Sequence, residues 1–321
     1  MIKLINQVAT IATSVKLCHG FKANRLSPMP TSRRQFLRTS TVIAAALPCA
    51  VSSALAAAGV SWPVGCFNRP WTKWSYDEAL DGIKAAGYSL TGLLTPHKGE
   101  DFSSAATTEY LDSLKKRLAA RGLTANMSAI RFKPAAPLDE NIRDLRKQIE
   151  NAARLELKFM LTFGVDKPEH YEDCYRLMAD AAAQAAQRGI QIAVKPHGGG
   201  SGAAEEITRC LEKVGHANFK VWYDAGNIIY YTGKDPVAEL ASVAKHVTGF
   251  CAKDCAAPKA GVMSQFGTGK VDFVAVFKML KAAGFNGPVM VEGVKVGETA
   301  TETTDNARAN REFLAKAFAQ V

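Results

Sequence analysis

The chain has 321 residues, 47% of them hydrophobic and 22% charged, the balance of a soluble globular protein long enough for one large α/β domain. Its formal charge of +10 is concentrated at one end, because residues 1–57 hold seven of the 40 bases and none of the 30 acids, leaving 33 bases against 30 acids beyond them. A near-neutral remainder gives no electrostatic reason to expect nucleic acid as a partner.

Near the N-terminus Thr31-Ser32-Arg33-Arg34-Gln35-Phe36-Leu37-Arg38 is followed by an Ala-rich apolar stretch and then by Ala54-Leu55-Ala56. This is the pattern of a twin-arginine export signal closed by a small-x-small cleavage site. The apolar part, 39–50, is too short and too weakly apolar to span about 30 Å of hydrocarbon, so no stable membrane insertion is expected. Residues 1–56 are therefore read as a signal that is removed and 57–321 as a single folded domain. The protein is expected to be periplasmic or secreted, with the Tat export machinery as a partner, and Met29 is a second candidate start beside Met1. Cys18 and Cys49 leave with the signal. The five that remain, Cys66, Cys174, Cys210, Cys251 and Cys255, show no CxxC spacing and so no structural zinc site. Cys251 and Cys255 stand four apart, where a strand-end cysteine is more often unpaired than bridged.

From residue 60 onward strand and helix signals alternate. A first strand is predicted over 62–66. A helix follows over 75–87, with Ser75 at its start and Gly87 at its end supplying capping chemistry. Strand 88–95, helix 109–122, strand 124–130, helix 139–155, strand 158–163 and helix 170–189 come next. A strand ending at Lys195 leads to helix 203–215, strand 221–224, helix 236–245, strand 247–253, helix 272–284, strand 289–292 and a closing helix over 303–318. Such alternation predicts a parallel sheet, and eight βα units in about 260 residues predict a closed (β/α)8 TIM barrel over an open doubly wound sheet. No GxGxxG follows the first strand, which argues against a Rossmann domain and a nucleotide cofactor.

Four of these strands are short, apolar, β-branched runs closed by polar residues: Ile190 to His197, Val221 to Asn227, Phe250 to Asp254 and Pro288 to Glu292. Parallel neighbours would converge Lys195, His197, Asp224, Asn227, Lys253, Asp254 and Glu292 on the C-terminal mouth, where such barrels keep their active sites. Asp224 is readable as a helix cap, and Lys253 with Asp254 as a pair at the rim. Glu292 ends a wholly apolar strand, where an unpaired charge is expensive. His197 precedes three glycines, which let backbone approach a ligand. His97, Arg69, Trp71 and Trp74, after the first two strands, are candidates for the substrate end or a lid. Trp222, Tyr223, Tyr230 and Tyr231 are more readily core than sugar-stacking platforms. His170, His216 and His246 are read as surface.

In this order and spacing, His197-Gly198-Gly199, Tyr223-Asp224-Ala225-Gly226-Asn227, Lys253-Asp254, Gly267-Thr268-Gly269 and Gly287-Pro288 before Val291-Glu292 resemble the sugar phosphate isomerase/epimerase superfamily, the xylose isomerase-like barrels. The resemblance covers essentially all of the mature chain. It implies one divalent metal held by a Glu, an Asp, a His and a Glu from strands five to eight. Asp224 and Glu292 match the second and fourth positions. Lys195 stands where the first Glu would be and Cys251 where the His would be, and an ammonium is all donor and repels a dication.

Two repairs are open. His197, with Asp224 and Glu292, would form a looser site for Mn, Mg or Zn, Cys251 being a softer optional ligand. Alternatively Lys195 with Lys253 supplies the positive charge for a developing oxyanion, and Asp224 or Glu292 shuttles the proton. By resemblance the reaction is aldose-ketose isomerisation or epimerisation, with proton abstraction beside a carbonyl. The substrate is expected to be an unphosphorylated sugar or keto-sugar, since an exported enzyme meets few sugar phosphates. A lyase or hydratase on 3-keto-glycosides, and a degenerate barrel that only binds sugar, are the alternatives. Asn227, His97, Trp71 and Asp254 are the expected substrate contacts.

Overall fold

The computed structural model describes residues 59–321, and the expected export signal with its cleavage site lies outside them. Eight strands run through the described residues: β1 (Val64–Phe67), β2 (Leu90–Leu93), β3 (Thr124–Ala129), β4 (Phe159–Thr162), β5 (Gln191–Val194), β6 (Phe219–Asp224), β7 (Val247–Ala252) and β8 (Val289–Val291). Each pairs in parallel with the next, and β1 pairs with β8 to close the barrel in sequence order.

The helices are α1 (Tyr76–Ala85), α2 (Thr108–Ala120), α3 (Leu138–Arg154), α4 (Tyr171–Ala186), α5 (Ala204–Val214), α6 (Ala225–Thr232), α7 (Pro236–Val243), α8 (Phe273–Ala282) and α9 (Ala300–Phe318). The Ser75 hydroxyl accepts from the Glu78 amide and the Glu78 carboxylate accepts in return from Ser75, so the start of α1 lies where its capping signal predicts. Helix α9 begins at Ala300 rather than at 303, because Thr299 caps it by accepting from the Glu302 amide at 3.1 Å. Helix α6 has no counterpart among the predicted helices. It starts directly on the last residue of β6, with Asp224 as its cap, and ends at Gly233 in the left-handed conformation. An eight-residue helix fused to a strand leaves no loop signal between them.

Two separate cores follow from the strand period of two. Residues pointing outward pack under the helices. Those pointing inward form a second cluster of Phe67, Leu94, Met127, Ala129, Leu161, Ala193, Trp222, Cys251 and Met290. Glycines on the inward face make room for the largest of these. A Cβ on Gly249 would fall 2.2 Å from the Trp222 ring, and one on Gly92 would fall 2.4 Å from Phe67. Continuing the alternation one step past each inward residue places Lys195 above Ala193, Asp224 above Trp222, Lys253 above Cys251 and Glu292 above Met290. The barrel interior therefore ends in a charged layer at its C-terminal rim. All five cysteines among the described residues are buried free thiols.

Candidate active site

That layer is a closed network. The Lys195 ammonium lies 2.9 Å from Asp224 Oδ2, bonds Glu292 Oε2, and approaches Cys251 Sγ at 3.6 Å. The Lys253 ammonium reaches Asp224 Oδ2 at 3.0 Å, Glu292 Oε1 at 2.8 Å and Asn227 Oδ1 at 3.0 Å. The Cys251 thiol donates to Glu292 Oε2 at 2.9 Å, and Arg69 Nη1 bonds Glu292 Oε1. Side-chain exposure is between 0 and 2% for Lys195, Asp224, Lys253 and Glu292, and 34% for Arg69. Arg69 thus forms the solvent side of a buried ion cluster. Gly226 and Gly293 let the Lys253 stem pass, since a Cβ on either would press on its Cγ.

Burial by itself would raise the carboxyls of Asp224 and Glu292. The facing Lys195 and Lys253 ammonium groups outweigh it for both, with Arg69 adding to the effect on Glu292, which is held well below the usual carboxylate range. Burial likewise opposes the charge on Lys195, but Asp224 and Glu292 keep its ammonium well above the ordinary lysine value. Burial, with the two carboxylates, pushes the Cys251 thiol up, so it stays protonated. His197 is pushed down to about 4 by burial and by the Lys195 and Lys253 charges, which leaves its imidazole neutral near pH 7.

The expected site residues divide. Lys195, Asp224, Asn227, Lys253 and Glu292 come together. His197 borders them: its ring meets the Phe163 ring, and the Tyr231 hydroxyl lies 3.0 Å from Nε2. Asp224 does both things the sequence leaves open, because Oδ1 caps α6 on the Asn227 amide while Oδ2 takes the two lysines. Lys253 and Asp254 do not pair with each other. Alternation turns their side chains apart, and Asp254 accepts from the backbone amides of Cys255, Gly267, Gly269 and Val271, organising the loop before α8 rather than facing a substrate. Trp71 is also away from the mouth. It is fully buried between α1 and α9, with its indole N–H 3.3 Å from Thr304 Oγ1. His97 is buried against the Trp74 carbonyl and the edge of Tyr76, outside the cluster.

Two members were not singled out from the sequence. Cys251 appeared only as an optional ligand, and its inward parity with Met290 and Trp222 is the signal for its place. Tyr231, read as core, lies seven residues past Asp224, two helical turns along the same face, which brings it back over the mouth. A cavity of about 290 Å³ between the loops after β2 and β3, lined by Phe102, Arg131, Asp144 and Gln148 among others, contains none of the cluster residues. Its chemistry is ordinary loop polarity, so the ion cluster is the stronger candidate.

Asp224, Cys251 and Glu292 each offer a ligand atom within 4.8 Å of the others, the one such trio among the described residues, and His197 is not part of it. The Lys195 ammonium contacts all three of those atoms. A divalent ion there would have to displace a cation already paired with both carboxylates, so the residues as arranged do not fit the metal that the family pattern implies.

Residues 80–317 match the family described as xylose isomerase-like TIM barrel. The inosose dehydratase of Geobacillus thermodenitrificans (strain NG80-2) is 29% identical over 147 residues, covering 39% of this chain and 49% of that protein, so the chain spans about half the length of the curated relative it matches. Among solved structures, D-allulose 3-epimerase from Methylomonas sp. superimposes with a TM-score of 0.64 at 17% identity, over 81% of this chain and 99% of that one. A xylose isomerase-like TIM barrel protein from Mycobacterium smegmatis, in complex with magnesium, does so with a TM-score of 0.67 at 14% identity, over 81% and 97%. At these identities the structural likeness is one of fold. With its closed eight-stranded barrel and a family match across most of its length, the chain belongs to the xylose isomerase-like TIM barrel family.

Proposed function

We propose that this protein is an exported enzyme that isomerises or epimerises an unphosphorylated sugar or keto-sugar by moving a proton from the carbon beside a carbonyl, with an internal ammonium in the role the family pattern gives to a metal. The observation that carries this reading is the Lys195 ammonium in contact with Asp224, Glu292 and Cys251, the trio otherwise suited to hold an ion. The paired charges of Lys195 and Lys253, fixed before substrate arrives, favour the oxyanion that forms when the proton leaves. Asp224 and Glu292 are weak proton acceptors because two or more cations face each of them. Their work is to hold the ammonium groups. The proton acceptor assigned here is His197, neutral, bordering the lysine pair, and steadied by the Tyr231 hydroxyl.

The test is solvent exchange. A panel of unphosphorylated sugars and keto-sugars is incubated with the mature enzyme in D2O plus a chelator, and proton NMR follows the C–H beside the carbonyl. Exchange with a recovered isomer supports the reading. No exchange across the panel, with or without added Mn2+, overturns it and leaves a sugar-binding barrel. Loss of water instead of isomerisation is the second reading, favoured by the inosose dehydratase match, since expulsion of a neighbouring hydroxyl starts from the same intermediate.

His197→Asn is expected to lower turnover by roughly 10²–10⁴-fold with the fold retained. In the wild type, turnover should fall only as pH drops towards 4, where the imidazole protonates. Stability has the same sign. An unfolded histidine takes its proton near 6.5 and the folded one near 4, so acidification through that window favours the unfolded chain. Export is supported by Arg33-Arg34 and the small-x-small pattern after it. A C-terminally tagged chain should be recovered, shortened, from the periplasm, and the Arg33→Lys, Arg34→Lys double variant should stay in the cytoplasm at full length.

A further inference from the structure

Counting donors in the charged layer leaves one cation with spare capacity. An ammonium has three N–H groups. Those of Lys195 are met by Asp224, Glu292 and Cys251, and those of Lys253 by Asp224, Glu292 and Asn227. Neither lysine has a free donor for a ligand. Arg69 bonds Glu292 through Nη1 alone, and among the described residues its Nε and Nη2 have no hydrogen-bond partner. Its guanidinium is also the member of the cluster that solvent reaches, at 34% exposure. A planar N–H edge with this geometry matches the two oxygens of a carboxylate.

The charges point the same way. Lys195, Lys253 and Arg69 bring three positive charges against two from Asp224 and Glu292, while the Cys251 thiol and the His197 ring are neutral. The next charges out are of opposite sign to one another: Asp254, engaged with backbone amides, and Lys259, exposed over the Tyr230 and Tyr231 rings. The layer therefore carries a surplus of one positive charge where burial makes an unbalanced charge expensive.

We infer that Arg69 selects a substrate bearing a single carboxylate, an oxidised sugar acid rather than a neutral sugar or a sugar phosphate. This rests on the cluster being the substrate site, as proposed above. One carboxylate cancels the surplus. A neutral sugar leaves it, and a phosphate dianion overshoots it.

Isothermal titration of the mature wild type and of Arg69→Gln tests this with three acids (D-gluconate, D-glucuronate and 2-keto-D-gluconate), their neutral counterparts (D-glucitol, D-glucose and D-fructose) and D-glucose 6-phosphate. Circular dichroism confirms that the variant folds. At least one acid should bind the wild type roughly ten-fold or more tighter than its neutral counterpart, and Arg69→Gln should erase that difference. Equal binding of acid and neutral partner overturns the inference and is what an oxyanion-only role for Arg69 would give. So do tightest binding of the phosphate, a preference that survives Arg69→Gln, or no saturable binding of any acid up to about 10 mM. Titration needs no turnover. Acid preference without solvent exchange would sink the isomerase reading and keep this one, and exchange without acid preference would do the reverse.

Discussion

Lys195→Glu should convert the protein into a metal-dependent one. The substitution removes the ammonium that contacts Asp224, Glu292 and Cys251 and puts a third carboxylate among them. Without an ion, three acidic side chains then share a site with little water, and the variant should melt well below the wild type or fail to fold in a chelator. With excess Mn2+ it should recover. Saturation at about 100 times Kd contributes about 2.7 kcal/mol, or roughly 5–10 °C for a domain of this size. Wild-type melting should not move in either condition, because Lys195 already occupies the ligand set. Lys195→Met is the companion variant, close in volume, unable to ligate and uncharged. It should lose turnover and gain no response to metal. A wild-type melting temperature that falls on chelation, or a Lys195→Met enzyme with unchanged turnover, would each show that the ammonium is not the resident cation.

Glu292→Gln is expected to be the most destabilising single substitution of the layer that preserves shape. Glu292 accepts from Lys195 and Cys251 on Oε2 and from Lys253 and Arg69 on Oε1. An amide of the same size can accept at one end only, and the surplus of positive charge rises from one to three. Breaking a buried ion pair by removing one partner costs about 3–5 kcal/mol, which corresponds to a fall of roughly 10 °C or more in melting temperature for a domain of this length. The pH dependence provides the control. The Glu292 carboxyl is depressed in the folded state, so its contribution is present above the unfolded value near 4.5 and is lost as pH falls through the folded one. The gap between variant and wild type should therefore be widest near neutral pH and narrow in acid. A gap of less than about 1 kcal/mol at pH 7 would mean that the cluster is solvated in solution and that the charge count behind the Arg69 inference is wrong.

The sequence by itself determined the barrel and the composition of its rim. Eight apolar runs alternating with amphipathic ones leave little besides a parallel barrel, and the inward parity of Ala193, Trp222, Cys251 and Met290 carries Lys195, Asp224, Lys253 and Glu292 to one mouth without reference to any distance. Lys195 standing in the place of a family glutamate was equally legible, as was the conflict it creates with a metal. What only the tertiary structure decided was the partnership among these groups. Lys253 is sequence neighbour to Asp254 yet pairs with Asp224 and Glu292, because adjacent residues on a strand face opposite ways, and Asp254 turns to the loop amides instead. Trp71, three residues from the mouth in sequence, is carried into the α1–α9 interface by the turn that follows β1. Helix α6, which places Tyr231 over His197, left no signal because it begins inside the last residue of a strand. Local sequence specifies which face of an element a residue occupies. Which charge meets which across a closed barrel depends on side chains from strands as far apart in the chain as β1 and β8, and only closure brings those within reach.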